Sequence, residues 1–173
     1  MMRMHIFLTG EIQVGKTTII RNFLSQSNLA ADGFITYWEP QNDVNRTLYL
    51  SSYSTDVHSV KRHLVTCCVD HKLSRTQNMV SVFDIHGTEI LRNSGKFYVI
   101  VMDELGFMES KARIFQSAVM QHISGVIPIL GVIKPVKTKF LDAVRSHSNV
   151  KVCEVTKDNR DAVLAWLLKQ SWR

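Results

Sequence analysis

Residues Gly10, Glu11, Ile12, Gln13, Val14, Gly15, Lys16 and Thr17 spell G-x-x-x-x-G-K-T directly after the apolar run Met4-His5-Ile6-Phe7-Leu8. In that setting the spacing has a mechanism. A strand ends at Thr9, a tight loop turns its N–H groups inward, and a helix opens at Lys16 with its positive end toward an anion. Gly10 and Gly15 allow a closeness of approach that a Cβ would block, so the amides can form a concave nest. Lys16 supplies positive charge for β- and γ-phosphates, and the Thr17 hydroxyl is an oxygen ligand suited to magnesium. Thr18 is a helix residue or nucleotide contact of lesser weight. The chemistry implied is recognition of a nucleoside triphosphate.

A second constellation supplies acid. Phe97-Tyr98-Val99-Ile100-Val101-Met102 is an unbroken apolar run that ends in Asp103-Glu104. Such a run suits a strand buried on both faces of a parallel sheet, whose strands end together at the edge where ligands bind. Asp103 would then hold magnesium through its water shell, as a Walker-B acid does. Glu104 would face the γ-phosphate and orient and deprotonate the attacking water. The plainer alternative is a solvated turn after a core strand.

The elements that must carry these residues alternate as in a doubly wound α/β domain, with a mostly parallel sheet flanked by helices. The pattern predicts a strand over 4–8, a helix over 16–25 and a strand over 33–36. The polar set Pro40 to Asn45 reads as a turn and 46–50 as the return strand of an added β-hairpin. Residues 51–77 are hard to read, with a candidate strand at 64–69. Further predictions are a helix over 84–92, a helix over 110–122 with Ile114, Phe115, Ala118 and Val119 on one side, and an apolar strand up to Ile133. A helix over 140–148, a strand over 150–155 and a closing helix over 161–170, with Trp166 and Leu167 in the core, complete the chain. No second domain is needed, and residues 1–173 read as one unit.

Four loop positions have two readings each. Lys134 ends an apolar strand and could sense the γ-phosphate, although an exposed loop lysine is the plainer reading. Asn159 and Arg160 follow the last strand, where Asn hydrogen-bonds and Arg stacks on any base, while Asn also caps helices. Glu109 could support the acidic pair, but the first turn of a helix suits a carboxylate equally, and helix-start electrostatics is preferred.

Composition bounds the rest. The 173 residues carry a net charge of +6, and 45% are hydrophobic, enough for one core. The basic residues, among them Lys61, Arg62, Lys72, Arg75, Lys134, Lys137 and Lys139, are dispersed, which reads as a solvated surface and does not indicate nucleic acid. Cys67, Cys68 and Cys153 lack zinc or redox spacing and read as buried reduced thiols, and His58, His63 and His71 form no metal cluster. No apolar stretch approaches a membrane span. A cytoplasmic monomer is expected.

The same blocks carry a resemblance. The phosphate loop, Gly33-Phe34-Ile35-Thr36, the string Asp103-Glu104-Leu105-Gly106-Phe107-Met108-Glu109 and Val155-Thr156-Lys157-Asp158-Asn159-Arg160 are similar, in that order, to the small P-loop nucleoside-triphosphatases first described from thermophiles and also called cancer-related nucleoside-triphosphatases. The resemblance implies a P-loop NTPase fold with a RecA-like core. It also implies hydrolysis of ATP, GTP and other nucleoside triphosphates to the diphosphate and phosphate, with Mg2+ and broad base tolerance. The chain departs from that family at Tyr37-Trp38-Glu39-Pro40, where acidic residues and an arginine are usual, and it lacks a glycine-rich string over 77–90. Two other classes use the same loop: a nucleotide or small-molecule kinase, and an RNA-stimulated ATPase whose internal cations would be Arg46, Arg113 or Arg160.

Overall fold

The computed structural model of the chain describes residues 4–54, 62–69, 72–73 and 79–172. His58, Lys61, His71 and Arg75 lie outside the described residues. In chain order the elements are β1 (His5–Thr9), α1 (Lys16–Ser27), β2 (Ala31–Pro40), β3 (Arg46–Ser54), β4 (Arg62–Val69) and β5 (Lys72–Leu73). A short α2 (Met79–Ser81) runs through a π-helical stretch, Val82–Gly87, into α3 (Thr88–Asn93). Then come β6 (Val99–Leu105), α4 (Arg113–Ile123), β7 (Ile129–Ile133), α5 (Lys139–Ser146), β8 (Val150–Glu154) and α6 (Arg160–Leu168).

Successive strand residues face opposite ways, and in the central strands both ways lead into apolar layers. Ile6, Leu8, Val99, Val101, Leu130 and Val132 pack with Ile19, Ile20, Phe23 and Leu24 of α1 and Val163 and Leu167 of α6. Their neighbours Phe7, Ile100, Met102, Ile129 and Ile133 pack with Phe115, Val119 and Ile123 of α4 and Phe140, Leu141 and Val144 of α5. The result is a three-layer sandwich around one eight-stranded sheet of order β5-β4-β3-β2-β6-β7-β1-β8. Strands β2, β6, β7, β1 and β8 are mutually parallel. The chain of antiparallel pairs from β2 through β3 and β4 to β5 widens the sheet on one side.

Pairing across β1 and β7 sets Phe7 beside Gly131. A Cβ on Gly131 would sit 2.5 Å from the Phe7 ring and 2.9 Å from the Met102 carbonyl oxygen. The missing side chain is therefore the space that Phe7 fills. On the same face the N–H of Phe115, in the first turn of α4, donates to the Asp84 carboxylate at 3.0 Å, so a neighbouring segment satisfies that helix start.

Several boundaries differ from the sequence pattern for identifiable reasons. Phe97 and Tyr98 precede β6 and are 37% and 52% exposed, so the apolar run is longer than the strand it feeds. At its other end β6 continues through Asp103 and Glu104 to Leu105, which places the acidic pair inside the strand instead of in a turn after it. The hairpin is longer than expected, pairing Asp32 with Ser54 through to Pro40 with Arg46. Its turn is held by the Asn42 side chain, which accepts from the N–H groups of Val44 and Asn45. Ile114 is 57% exposed because α4 buries the stripe Phe115, Val119 and Ile123. Trp166 is half-buried beneath the Lys151 ammonium, which lies 4.6 Å from its ring centre, so only Leu167 of the predicted pair is fully in the core. The three cysteines are free thiols, of which Cys68 alone is fully buried. Among the described residues no helix is long and apolar enough to cross a membrane.

Gly131→Ala should force the Phe7 ring out of its well and destabilise the protein by about 1–3 kcal/mol, the usual result of overpacking. Urea unfolding of the variant against the wild type measures this, and an unchanged midpoint would contradict the packing described.

Candidate active site

The phosphate loop is shaped by its backbone. Gly10 has φ 136°, Gln13 61° and Gly15 98°, so the chain enters the left-handed region three times in six residues. Gly10 is required for a second reason: a Cβ there would lie 2.3 Å from the Val155 carbonyl oxygen at the end of β8. The loop thus rests directly on the neighbouring strand tip. Gly15 precedes α1, no side chain caps that helix, and its first turn carries no acid, which leaves its positive end to a ligand. Glu11, Ile12, Gln13 and Thr18 are exposed around the rim and Val14 is buried beneath it. The Lys16 ammonium donates to the Gly10 and Glu11 carbonyls at 3.0 and 2.6 Å, arched over its own loop.

The acidic strand meets this loop. Asp103 is 3% exposed, and the Thr17 hydroxyl lies close enough to stabilise its charge. Burial pushes its carboxyl up to about 6; the charge of Glu104 adds to the rise, while the Thr17 hydroxyl, Arg21 and Lys16 oppose it. Burial likewise holds the Lys16 ammonium below the usual lysine range, against the pull of Glu104 and Asp103. Glu104 is anchored at its backbone N–H, which donates to the Thr36 hydroxyl at 3.2 Å. Its carboxylate pairs with the Lys134 ammonium at 2.7 Å. Lys16, Thr17, Asp103 and Glu104, far apart in the chain, therefore share one corner of the sheet edge.

Three residues depart from their sequence readings. Lys134 is not a free loop lysine: its side chain is 27% exposed and ion-paired. Glu109 is not in a first helical turn, because α4 begins four residues later at Arg113. It is 2% exposed, its carboxylate accepts from the Gly106 N–H, and its carbonyl accepts from the Gln116 amide. It holds the loop that follows the acidic pair. Asn159 stands at the N-cap of α6, but its side chain makes no cap hydrogen bond to that helix. Its oxygen accepts from the Thr156 N–H at 2.8 Å and its nitrogen donates to the Glu154 carbonyl at 3.0 Å, which closes the 154–159 loop on itself. Arg160 lies against the phosphate loop, where a Cβ on Gly15 would meet its Cδ at 3.4 Å.

Arg21 and Thr36 were missed as site residues. Arg21 lies one turn after Thr17 on α1, a spacing that places both on one helix face, and its charge reaches Asp103 and Tyr53. Thr36 stands one residue past the Ile35–Asp103 pair of β2 and β6, a register that only the assembled sheet reveals. Of the internal arginines, Arg46 stacks on Trp38 in the hairpin at 4.6 Å.

A cavity of about 30 Å³ lies among Thr36, Trp38, Glu104, Glu109 and Lys134, enough for one water molecule beside the Glu104 carboxylate. Two larger concavities, of about 460 and 440 Å³, include no residue of the loop or the acidic pair. The loop and the acidic pair lie at the sheet edge, outside both of these concavities.

A phosphate-cradling loop on β1, an acidic strand at β6 and a third strand between them define the P-loop nucleoside-triphosphatase class. The family model described as NTPase matches residues 5–168, and the chain belongs to that family. It is 33% identical to the human cancer-related nucleoside-triphosphatase over 94% of both chains, and 32% identical to the homologue of Mus musculus over the same shares. Nucleoside-triphosphatase THEP1 of Natranaerobius thermophilus is 25% identical, over 96% of this chain and 95% of that one. The solution structure of a human cancer-related nucleoside triphosphatase superposes with a TM-score of 0.69 and 29% identity over 95% of both chains. The crystal structure of THEP1 from Aquifex aeolicus shares the fold, with a TM-score of 0.67 and 22% identity over 96% of this chain and all of that one.

Burial pushes the Glu109 carboxyl up to about 7, against the Gly106 hydrogen bond and Lys134, which lower it. The folded chain therefore keeps a proton that the unfolded chain releases near 4.5, and stability falls as pH rises from that value through 7. Glu109→Gln keeps the acceptor oxygen and removes the titration. The variant should gain stability relative to the wild type between about pH 5 and pH 8, by at most about 3 kcal/mol. Urea unfolding at the two pH values reads this out, and a pH-independent difference would contradict it.

Proposed function

We propose that this chain hydrolyses nucleoside triphosphates to the diphosphate and phosphate, with magnesium and with little discrimination among bases. The observation that carries the reading is the meeting of the Thr17 hydroxyl with the buried Asp103 carboxylate, beside Lys16 and Glu104. Magnesium fits this pair. Both donors are hard oxygens, and Asp103 is a carboxylate held where a cation would favour its charge. Among the described residues no three His, Cys, Asp or Glu gather into a protein cage. One or two protein oxygens, completed by water and phosphate, is how magnesium is ordinarily held. Once bound by Thr17 and Asp103, the ion would neutralise charge on the β- and γ-phosphates.

The loop amides and the positive end of α1 receive the phosphates, and Lys16 exchanges the carbonyls of Gly10 and Glu11 for phosphate oxygens. Glu104 orients a water molecule in line with the γ-phosphorus. The water oxygen forms the new bond to phosphorus, its proton passes to the Glu104 carboxylate, and the bond to the β-phosphate bridging oxygen breaks, releasing the diphosphate. Glu104 then returns the proton to solvent or product. Such transfers need little covalent work from the protein, so position and charge stabilisation carry the rate. Broad base tolerance is supported by Asn159, whose amide is committed to its own loop, and by Arg160, whose planar cation stacks on any base face.

Phosphate release should be measured with ATP, GTP, CTP and UTP, with and without magnesium, and with candidate phosphoryl acceptors. Release to water from all four, dependent on the ion, is expected; transfer to an acceptor would make the chain a kinase. Lys16→Ala should lower turnover about 100-fold or more and weaken triphosphate binding. Glu104→Gln should retain nucleotide while losing about 100-fold or more in turnover. Wild-type turnover by the Glu104→Gln enzyme would remove Glu104 from the mechanism.

A further inference from the structure

Strand β7 lies between β1, which carries the phosphate loop, and β6, which carries the acidic pair. Its C-terminal tip therefore points into the gap that a triphosphate would cross, and the residue at that tip is Lys134. The backbone of Lys134 is fixed on both sides. Its N–H donates to the Leu105 carbonyl at 2.9 Å, and its carbonyl accepts from the Arg145 guanidinium. Arg145 is itself held by Asp142 and by the Val136 carbonyl, each at 2.9 Å. Among the described residues the side chain, by contrast, makes one ion pair, to Glu104, and its charge also reaches Glu109. Its stem crosses Gly106, where a Cβ would come within 3.1 Å of the lysine Cδ.

We propose that Lys134 is a further catalytic residue, a cation supplied by the chain itself that holds Glu104 until a triphosphate arrives and then donates to a γ-phosphate oxygen. The proposal rests on the hydrolase reading above. An ammonium has three N–H donors on a flexible four-carbon stem, so a head anchored this close can turn between two anions without moving its backbone. A partly exposed ion pair adds little to folding, so stability does not explain the pairing. Position explains it. Lys134 also lies near enough to Lys16 to add to the lowering of that ammonium, as expected of two cations set to grip one phosphate chain.

The contact separates triphosphate from diphosphate, since a diphosphate has no γ-oxygens to offer. Drawing Lys134 onto the γ-phosphate also releases the Glu104 carboxylate from its ion pair, and when phosphate departs Lys134 goes back to Glu104.

The test measures dissociation constants for ADP and for a non-hydrolysable imido analogue of ATP, together with turnover. The proteins are the wild type, Lys134→Met, Lys134→Arg, Glu104→Gln and the double variant Glu104→Gln with Lys134→Met. Lys134→Met should weaken analogue binding about tenfold or more, leave ADP binding within about twofold, and lower turnover about 100-fold. Lys134→Arg should recover most of the analogue affinity. Glu104→Gln should bind the analogue more tightly than the wild type, because its lysine is no longer shared, and the double variant should lose that gain. An unchanged ratio of analogue to ADP affinity in Lys134→Met overturns the proposal even if turnover falls, because the lysine would then act only on Glu104. Absence of phosphate release from the wild type with any nucleotide would instead overturn the hydrolase reading, and the affinity ratio would still decide the role of Lys134.

Discussion

The approach of the Thr17 hydroxyl to the Asp103 carboxylate is the constraint around which this molecule is arranged. It joins the first turn of α1 to the end of β6, two segments more than eighty positions apart in the chain. For those atoms to meet, β1 and β6 must run parallel and end at the same edge, and α1 must return along one face of the sheet. The three-layer packing meets these demands. Leu8, Val101 and Val132 seat α1 from below, and Phe7, filling the space left by Gly131, anchors the opposite layer. A buried carboxylate is costly unless a partner stabilises its charge, and the burial that raises Asp103 to about 6 also makes a cation welcome there.

Insertion of β7 between the two functional strands has a geometric consequence. Were β1 and β6 adjacent, their tips would stand one strand spacing apart, about 5 Å, with no third tip between loop and acid. One intervening strand doubles that distance and brings a third tip into the gap. The residue there is thus forced toward the chemistry whatever its type, and in this chain it is a lysine. Arg145, Asp142 and the Leu105 carbonyl all act to fix where that tip lies.

Much of this was legible in the sequence because the signals were local. The phosphate loop is one contiguous string, and unbroken apolar runs followed by helical spacing marked the parallel strands. The hairpin turn announced itself through Pro40, Asn42 and Asn45. What stayed hidden depends on register or on partners distant in sequence. Glu109 looked like a helix-start acid because nothing in the string says that α4 waits until Arg113. Asn159 carried two conventional readings, and its side chain makes no helix-cap bond because its amide oxygen and nitrogen bond to backbone three and five residues away. Lys134 read as a surface lysine because its partner sits thirty positions earlier on a strand beside its own. Phe97 and Tyr98 show the converse error, an apolar run taken as strand beyond the point where pairing begins.

Charge balance accounts for the arrangement of the remaining side chains. Lys16, Arg21 and Lys134 are grouped with Asp103, Glu104 and Glu109, so cations and carboxyl groups are matched in number at this corner. Each cation is already occupied: Lys16 by the loop carbonyls, Lys134 by Glu104, Arg21 by the field of Asp103. An incoming polyanion would meet the uncapped start of α1 and would exchange these contacts in turn. A divalent cation bound at Asp103 would take over the neutralisation of that carboxylate, and its attraction for Lys16 and Arg21 would weaken. Exchange of partners within a nearly neutral cluster keeps the net charge of the buried corner small throughout. For that reason a site made of so many ionised groups can remain folded both before and after nucleotide is bound.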